Sequence, residues 1–349
     1  YLILKGAVQK CIAFFYGLNI VMETIREQLS AQYRFLELEK FFWGDYEGKM
    51  AQLKDAIAKN EKIILYHQEN INFYHTEWNG TPRINTIQMI ELKQLVSDHS
   101  NQICVLAHGV HDSFPFNHIN HYDFWIDIKN LNESVEVIDH ARNKEKDFLF
   151  LTRRATKHRR HLREQLKMKG CLENSLYAFI DGENTKNLAP EYEHEKFNDP
   201  KFKQEQCYYV PAIWNVLPKQ YQATKYSVVA ETIETNGVHC TSEKIFKPII
   251  AGHLFVVLAG AGYLSYLRSL GFKTFADHID ESYDDEQDEV KRIDKITDLC
   301  VSLMHMDHKK IYKDLEEITR HNRTLFFSDG HLQSLNITIK DRIKKHFRD

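Results

Sequence analysis

Short apolar runs alternate along this chain with longer stretches whose apolar residues recur every three or four positions. Five of the runs read as buried strands, at residues 62–66, 102–107, 147–151, 226–230 and 254–258. Helical patterns fall at 23–40, 49–59, 85–97, 153–169, 242–251, 262–269, 290–306, 309–321 and 335–347. Less regular runs at 122–128, 135–138, 177–180 and 273–275 are expected as further strands. The polar segment 181–207, with Pro190 and Pro200, and the acidic segment 280–289 are expected as loops. Strands separated by helices point to an α/β fold with parallel sheets. A second such unit opens near Lys144. The expected architecture is therefore two Rossmann-like domains facing across a cleft, with an acceptor-side domain at 1–145, a second domain at 146–325 and a closing helix at 326–349. Ligands of open α/β sheets bind beyond the carboxyl ends of the strands, so the chemistry is sought there.

Composition narrows the picture. A length of 349 residues suits two cores rather than one. A net charge of −3 gives no general reason to expect nucleic acid or an anionic membrane as partner. Residues 1–22 are apolar but interrupted by Lys5, Gln9, Lys10 and Asn19, which is too broken for a bilayer span and suits a core or docking helix. They also lack a small-residue cleavage site. The six cysteines form no C-x-x-C pair and read as buried thiols in a reducing compartment, so a cytoplasmic protein is expected. The glycosylation sequons at Asn79, Asn132, Asn322 and Asn336 then read as chance matches. Nineteen histidines show no structural-zinc spacing, and no metal is expected.

The candidate chemistry gathers after the strand at 226–230. Glu231 follows that strand directly, where a carboxylate can accept hydrogen bonds from ribose hydroxyls or serve as a cap. Thr241 or Ser242 can cap the next helix, leaving amide N–H groups at its positive end. Lys244 adds a full charge for a phosphate, and Glu243 can bind a diol; a surface ion pair with capping is the plainer alternative. Pro248 suggests that the helix starts near residues 244–247, because proline is tolerated in a first turn. Gly260 and Gly262 mark a tight turn or a close approach to a ligand. Upstream, Arg153, Arg154, Lys157, Arg159, Arg160, Arg163, Lys167 and Lys169 make a basic helix. That helix could be a solvated face, a nucleic-acid patch or, at Arg153 and Arg159, a diphosphate clamp.

Taken together, these residues resemble the α1,3-fucosyltransferases of glycosyltransferase family 10 and related bacterial and viral glycosyltransferases. The likeness lies in Val228-Val229-Ala230-Glu231, Thr241-Ser242-Glu243-Lys244, Ala251-Gly252, Val256-Val257 and Gly260, with Lys157-His158-Arg159 upstream. Residues 267–275 and 280–284 look like the viral and bacterial members. The sequence departs from the family at Glu231-Thr232, where the pattern has Glu-Asn, and in the spacer before Thr241. The resemblance covers about 147–325 and implies a GT-B architecture. It also implies a nucleotide diphosphate sugar donor, GDP-fucose-like, used without metal or other cofactor, and transfer with inversion to a hydroxyl of a glycan or other acceptor. Inversion needs a base from the first domain. Glu69, after the strand at 62–66, is the first candidate, with His67, His108 and Asp112 behind it. Three other readings stay open: a nucleic-acid-binding module built on 153–169, a viral enzyme that glycosylates modified DNA bases, and an inactive relative.

Overall fold

The computed structural model describes residues 22–38, 41, 45–67, 77–78, 81–82, 86–111, 116–140, 142–152, 156–179, 186–187 and 215–348. Its first half contains β1 (Arg34–Glu37), β2 (Ile63–His67), β3 (Ile103–His108), the short β4 (Val110–His111) and β5 (Ile119–His121). Around them lie α1 (Ile25–Leu29), α2 (Tyr46–Ala58), α3 (Thr86–Asp98) and α4 (Asp123–Asn132). The order β1-β2-β3-β5 makes one wholly parallel sheet. Alternate residues of β2 serve its two faces, as the period of a strand requires. Ile63 and Leu65 pack with Met50, Leu53 and Leu92 of α2 and α3, whereas Ile64 and Tyr66 pack with Ile25 and Leu29 of α1.

The second half adds β6 (Lys146–Thr152), β7 (Leu176–Phe179), β8 (Lys186–Asn187), β9 (Thr224–Ala230), β10 (Val238–His239) and β11 (Phe255–Leu258). Its sheet runs β8-β7-β6-β9-β11 and is parallel except for the edge strand β8. Helices α5 (Lys157–Met168), α6 (Pro218–Ala223), α7 (Glu243–Ala251), α8 (Tyr263–Ser269), α9 (Glu289–Met304), α10 (His308–Asp314) and α11 (Glu316–Phe327) follow in chain order. The sheet grows in opposite directions from β6 and β9, so the strand order reverses between them. That is the topological switch point at which open α/β sheets take ligands. The fold is thus α/β with two Rossmann-like sheets.

The halves are joined from several sides. The last helix, α12 (Asp329–Phe347), returns to the first sheet and packs Ile339, Ile343 and Phe347 against Ile64, Tyr66 and Leu106. Strand β4 pairs antiparallel with β10. Trp125 of α4 is wholly buried in the core of the second half, with its ring 5.0 Å from that of Phe272, 5.4 Å from Phe246 and 5.8 Å from Phe326. Its indole N–H donates to the Phe326 carbonyl at 3.0 Å.

Five expected elements differ, the first being the helix expected at 309–321, which is divided between α10 and α11. Residues 23–40 are not one helix: α1 opens with a Thr24–Glu27 capping box and ends at Leu29, and the chain then runs into β1. Pairing of Arg34 with Ile63 in the sheet overrides helical propensity there. Residues 122–128 belong to helix α4, because Trp125, Ile126 and Ile128 are buried by packing rather than by strand pairing. Residues 135–138 join no strand. Residues 273–275 form no strand; Asn322 bonds both backbone groups of Lys273, and Glu281 accepts from the Phe275 N–H at 2.6 Å. Most of 181–207 and all of 1–21 lie outside the described residues. Cys104, Cys171, Cys240 and Cys300 are buried and unbridged. The sequon residues Asn132, Asn322 and Asn336 are buried, so none is open to a glycan, and Asn79 lies outside the described residues. Among the described residues no helix is long and apolar enough to cross a membrane.

Truncating Trp125 leaves a cavity among Phe246, Phe272 and Phe326. Trp125→Ala is expected to cost about 3–5 kcal/mol in urea denaturation. A loss below about 1 kcal/mol would mean that the halves hold together without it.

Candidate functional site

The switch point is organised by Glu231. Its backbone N–H continues the β9–β11 ladder to the Leu258 carbonyl at 2.9 Å, which carries the side chain just past the strand. The residue is only 1% exposed. Ser242 Oγ donates to one carboxylate oxygen at 2.6 Å, with the Thr232 N–H at 3.2 Å, and the Tyr263 hydroxyl donates to the other at 3.2 Å. Burial raises the Glu231 pKa, and Lys244 and the Ser242 hydrogen bond only partly offset it. The carboxylate therefore faces the protein. It grips the residue that caps α7, since Ser242 Oγ also accepts from the Lys244 N–H at 3.2 Å.

Helix α7 starts at Glu243, one residue before the expected 244–247 window, and Pro248 lies inside it rather than in its first turn. Lys244 Nζ donates to Glu243 at 2.8 Å, Thr232 Oγ1 at 3.2 Å and Ser242 Oγ at 3.3 Å. The Glu243 and Lys244 side chains keep 14% and 18% of their surface. Burial alone would raise the Glu243 pKa, but Lys244 and Lys247 bring it below its ordinary value. From α5, the buried Arg159 donates to the Glu231 carbonyl at 2.9 Å, and His158 Nε2 reaches the same oxygen at 3.2 Å. In the first turn of this basic helix His158 and Arg159 are thus turned inward, while Lys157, Arg160 and, further on, Lys167 stay exposed.

The carboxyl edge of the first sheet meets this site. Strands β2, β3 and β5 end in His67, His108 and His121, all buried. His121 Nε2 lies 2.9 Å from the His67 carbonyl, and His108 Nε2 lies 2.7 Å from the Thr241 carbonyl. His108 is therefore a strut between the two sheets. The Thr241 hydroxyl is buried and has no hydrogen-bond partner among the described residues. Glu69, Asp112, Arg153 and Arg154 lie outside the described residues.

Gly260 is explained by its neighbour: a β-carbon there would collide with the Thr235 carbonyl. The loop behind it is tied down by Arg292, a residue that no sequence motif picks out. Its guanidinium is buried and donates to the Ala259 carbonyl, to Asn236 Oδ1 at 2.6 Å and to the Glu286 carbonyl at 2.8 Å. Its place beside Ile293 and Ile296 on the buried stripe of α9 was the available signal. Among the described residues, no group of three or more His, Cys, Asp or Glu side chains is placed to hold a metal ion.

No protein-family model matches the chain, and no curated protein does. Among solved structures, the crystal structure of an α1,3-fucosyltransferase with GDP-fucose covers 80% of this chain and 75% of its own, at a TM-score of 0.37 and 12% identity. That likeness is too slight to say anything about chemistry.

Two outcomes are expected. Glu231→Ala strands the Ser242 and Tyr263 hydroxyls and should cost about 2–4 kcal/mol in denaturant titration; a change within about 0.5 kcal/mol would contradict the role given to it. Burial holds His108 near a pKa of about 4, below its ordinary 6.5. Between those values the unfolded chain binds more protons, so this stability is complete above pH 6.5 and is lost as pH falls to about 4. His121, also near 4, acts in the same direction, whereas Asp123, raised by burial to about 6, opposes it. His108→Gln should remove about 3 kcal/mol from the stability difference between pH 7 and pH 4. An unchanged pH dependence would contradict the assignment.

Proposed function

We propose that the chain is a glycosyltransferase that moves a sugar from a nucleotide diphosphate sugar to a hydroxyl acceptor. The observation that carries this reading is Lys244 in the first turn of α7, beside the β6–β9 switch point, with Arg159 anchored to the same Glu231. Amide N–H groups, a helix dipole and two cations favour a diphosphate there.

In this reading the leaving diphosphate gains negative charge as the glycosidic bond breaks. Lys244 and Arg159, with Arg153 joining from the end of β6, stabilise that charge electrostatically. Lys244 gives up hydroxyl contacts to Thr232 and Ser242 in exchange for phosphate oxygens. Glu243, still partly exposed, accepts hydrogen bonds from ribose or sugar hydroxyls. Glu231 and Thr241 shape the site from within the protein, and Gly260 lets the 235–236 backbone close behind it. The acceptor approaches from the first sheet, and Glu69, two residues past the end of β2, takes its proton. His67 and His108 line that edge as structural groups. A GDP-fucose-like donor, metal-free inversion and a glycan acceptor complete the proposal on the strength of the sequence resemblance.

A thermal-shift panel of GDP, UDP, CDP, ADP and their sugars tests it, because a ligand that binds only the folded state raises its stability. One nucleotide class should shift the wild type and fail to shift Lys244→Ala. Turnover with that donor should drop at least about 100-fold in the folded variant. Normal turnover in Lys244→Ala would sink the donor-site assignment.

A further inference from the structure

Helix α7 is buried on nearly every side, and only Glu243, Lys244 and Lys247 of its residues reach solvent. Lys247 is three residues from Lys244 and four from Glu243, so the three side chains share one patch of the helix surface. Whatever meets this helix meets that patch. The Lys244 ammonium already donates to Glu243, Thr232 and Ser242. Lys247 is different: no hydrogen bond or ion pair reaches its ammonium among the described residues. Its charge is attracted by Glu243, but a half-buried ammonium that makes no direct bond recovers only part of the solvation it loses. An ordinary packing position there would be better filled by an apolar side chain.

We infer that Lys247 is a further cation for the donor diphosphate, beside Lys244 on α7, reaching a phosphate oxygen that Lys244 does not neutralise. This rests on the donor reading above and deepens it. Burial lowers the Lys247 pKa to about 8, Glu243 pulls it up, and Lys244 pushes it down. Among the described residues, the elements packed most closely against α7, namely α4, α6, α11 and β9, add no charge to those of Glu243 and Lys244. A bound diphosphate favours the charged ammonium, so binding draws a proton onto Lys247 near pH 8 and weakens as pH rises through that value.

Isothermal titration calorimetry on the full chain tests this with inorganic pyrophosphate, GDP, UDP, CDP and ADP as probes. Lys247→Gln should weaken the binding probe about 10-fold at about pH 7.5, and Lys247→Arg should restore most of it. The gap between wild type and Lys247→Gln should close by about pH 9.5, where the wild-type lysine has lost its charge. If Lys247→Gln binds like the wild type while Lys244→Gln is weakened, the donor site stands and the Lys247 inference falls. If no probe binds the wild type, the donor reading falls and takes the inference with it. Should Lys247→Gln fail to fold, the wild-type nucleotide affinity decides. It should drop between about pH 7.5 and about pH 9.5, where the diphosphate of a nucleotide is already fully ionised, and a constant value overturns the inference.

Discussion

Everything at the second carboxyl edge is arranged around the burial of one carboxylate. Glu231 must be hydrogen-bonded once it is removed from water. The groups that satisfy it are the groups that shape the site: the cap of α7, the hydroxyl of Tyr263 and the Thr232 amide. Its carbonyl then collects His158 and Arg159 from α5. One residue thereby sets where α7 begins, which way Lys244 points and how far α5 leans in.

The second constraint is that the two sheets share their polar edges. Three parallel strands of the first sheet end in buried histidines, and His108 spans to Thr241 of the second. The β4–β10 pair, the Trp125 wedge and the return of α12 fasten the same junction from other sides. The site is therefore held by contacts between halves, and its geometry depends on how those halves close. A transferase of the proposed kind needs such a meeting of donor and acceptor edges, since the reacting groups must be brought together before charge develops.

Much of this was legible in the chain. The apolar runs that became β2, β3, β6, β9 and β11 are short, uninterrupted and separated by helical periods, and burial on both faces of a parallel sheet leaves that signature. Where an element owed its state to distant partners, the local pattern misled. Residues 34–37 turned to strand by pairing with β2, 123–132 to helix by packing of Trp125, and 273–275 found their hydrogen bonds in side chains of Asn322 and Glu281. Gly260 read in the sequence as a tight turn or a close approach to a ligand, and the close approach seen is that of the Thr235 carbonyl, twenty-five positions earlier.

Local order along the chain is enough for the alternation of strand and helix, the place of Glu231 past a strand, and the cluster Thr241–Lys244 at a helix start. These follow from side-chain period, capping and chain direction. The assembly of remote segments was needed to turn Glu231 inward, to make His108 a strut and Arg292 a knot. It was also needed to leave the Lys247 ammonium near Glu243 but in no hydrogen bond or ion pair among the described residues. Those outcomes depend on what distant segments place beside each polar group, and the free energy of a buried charge is set by that neighbourhood rather than by the residue that carries it.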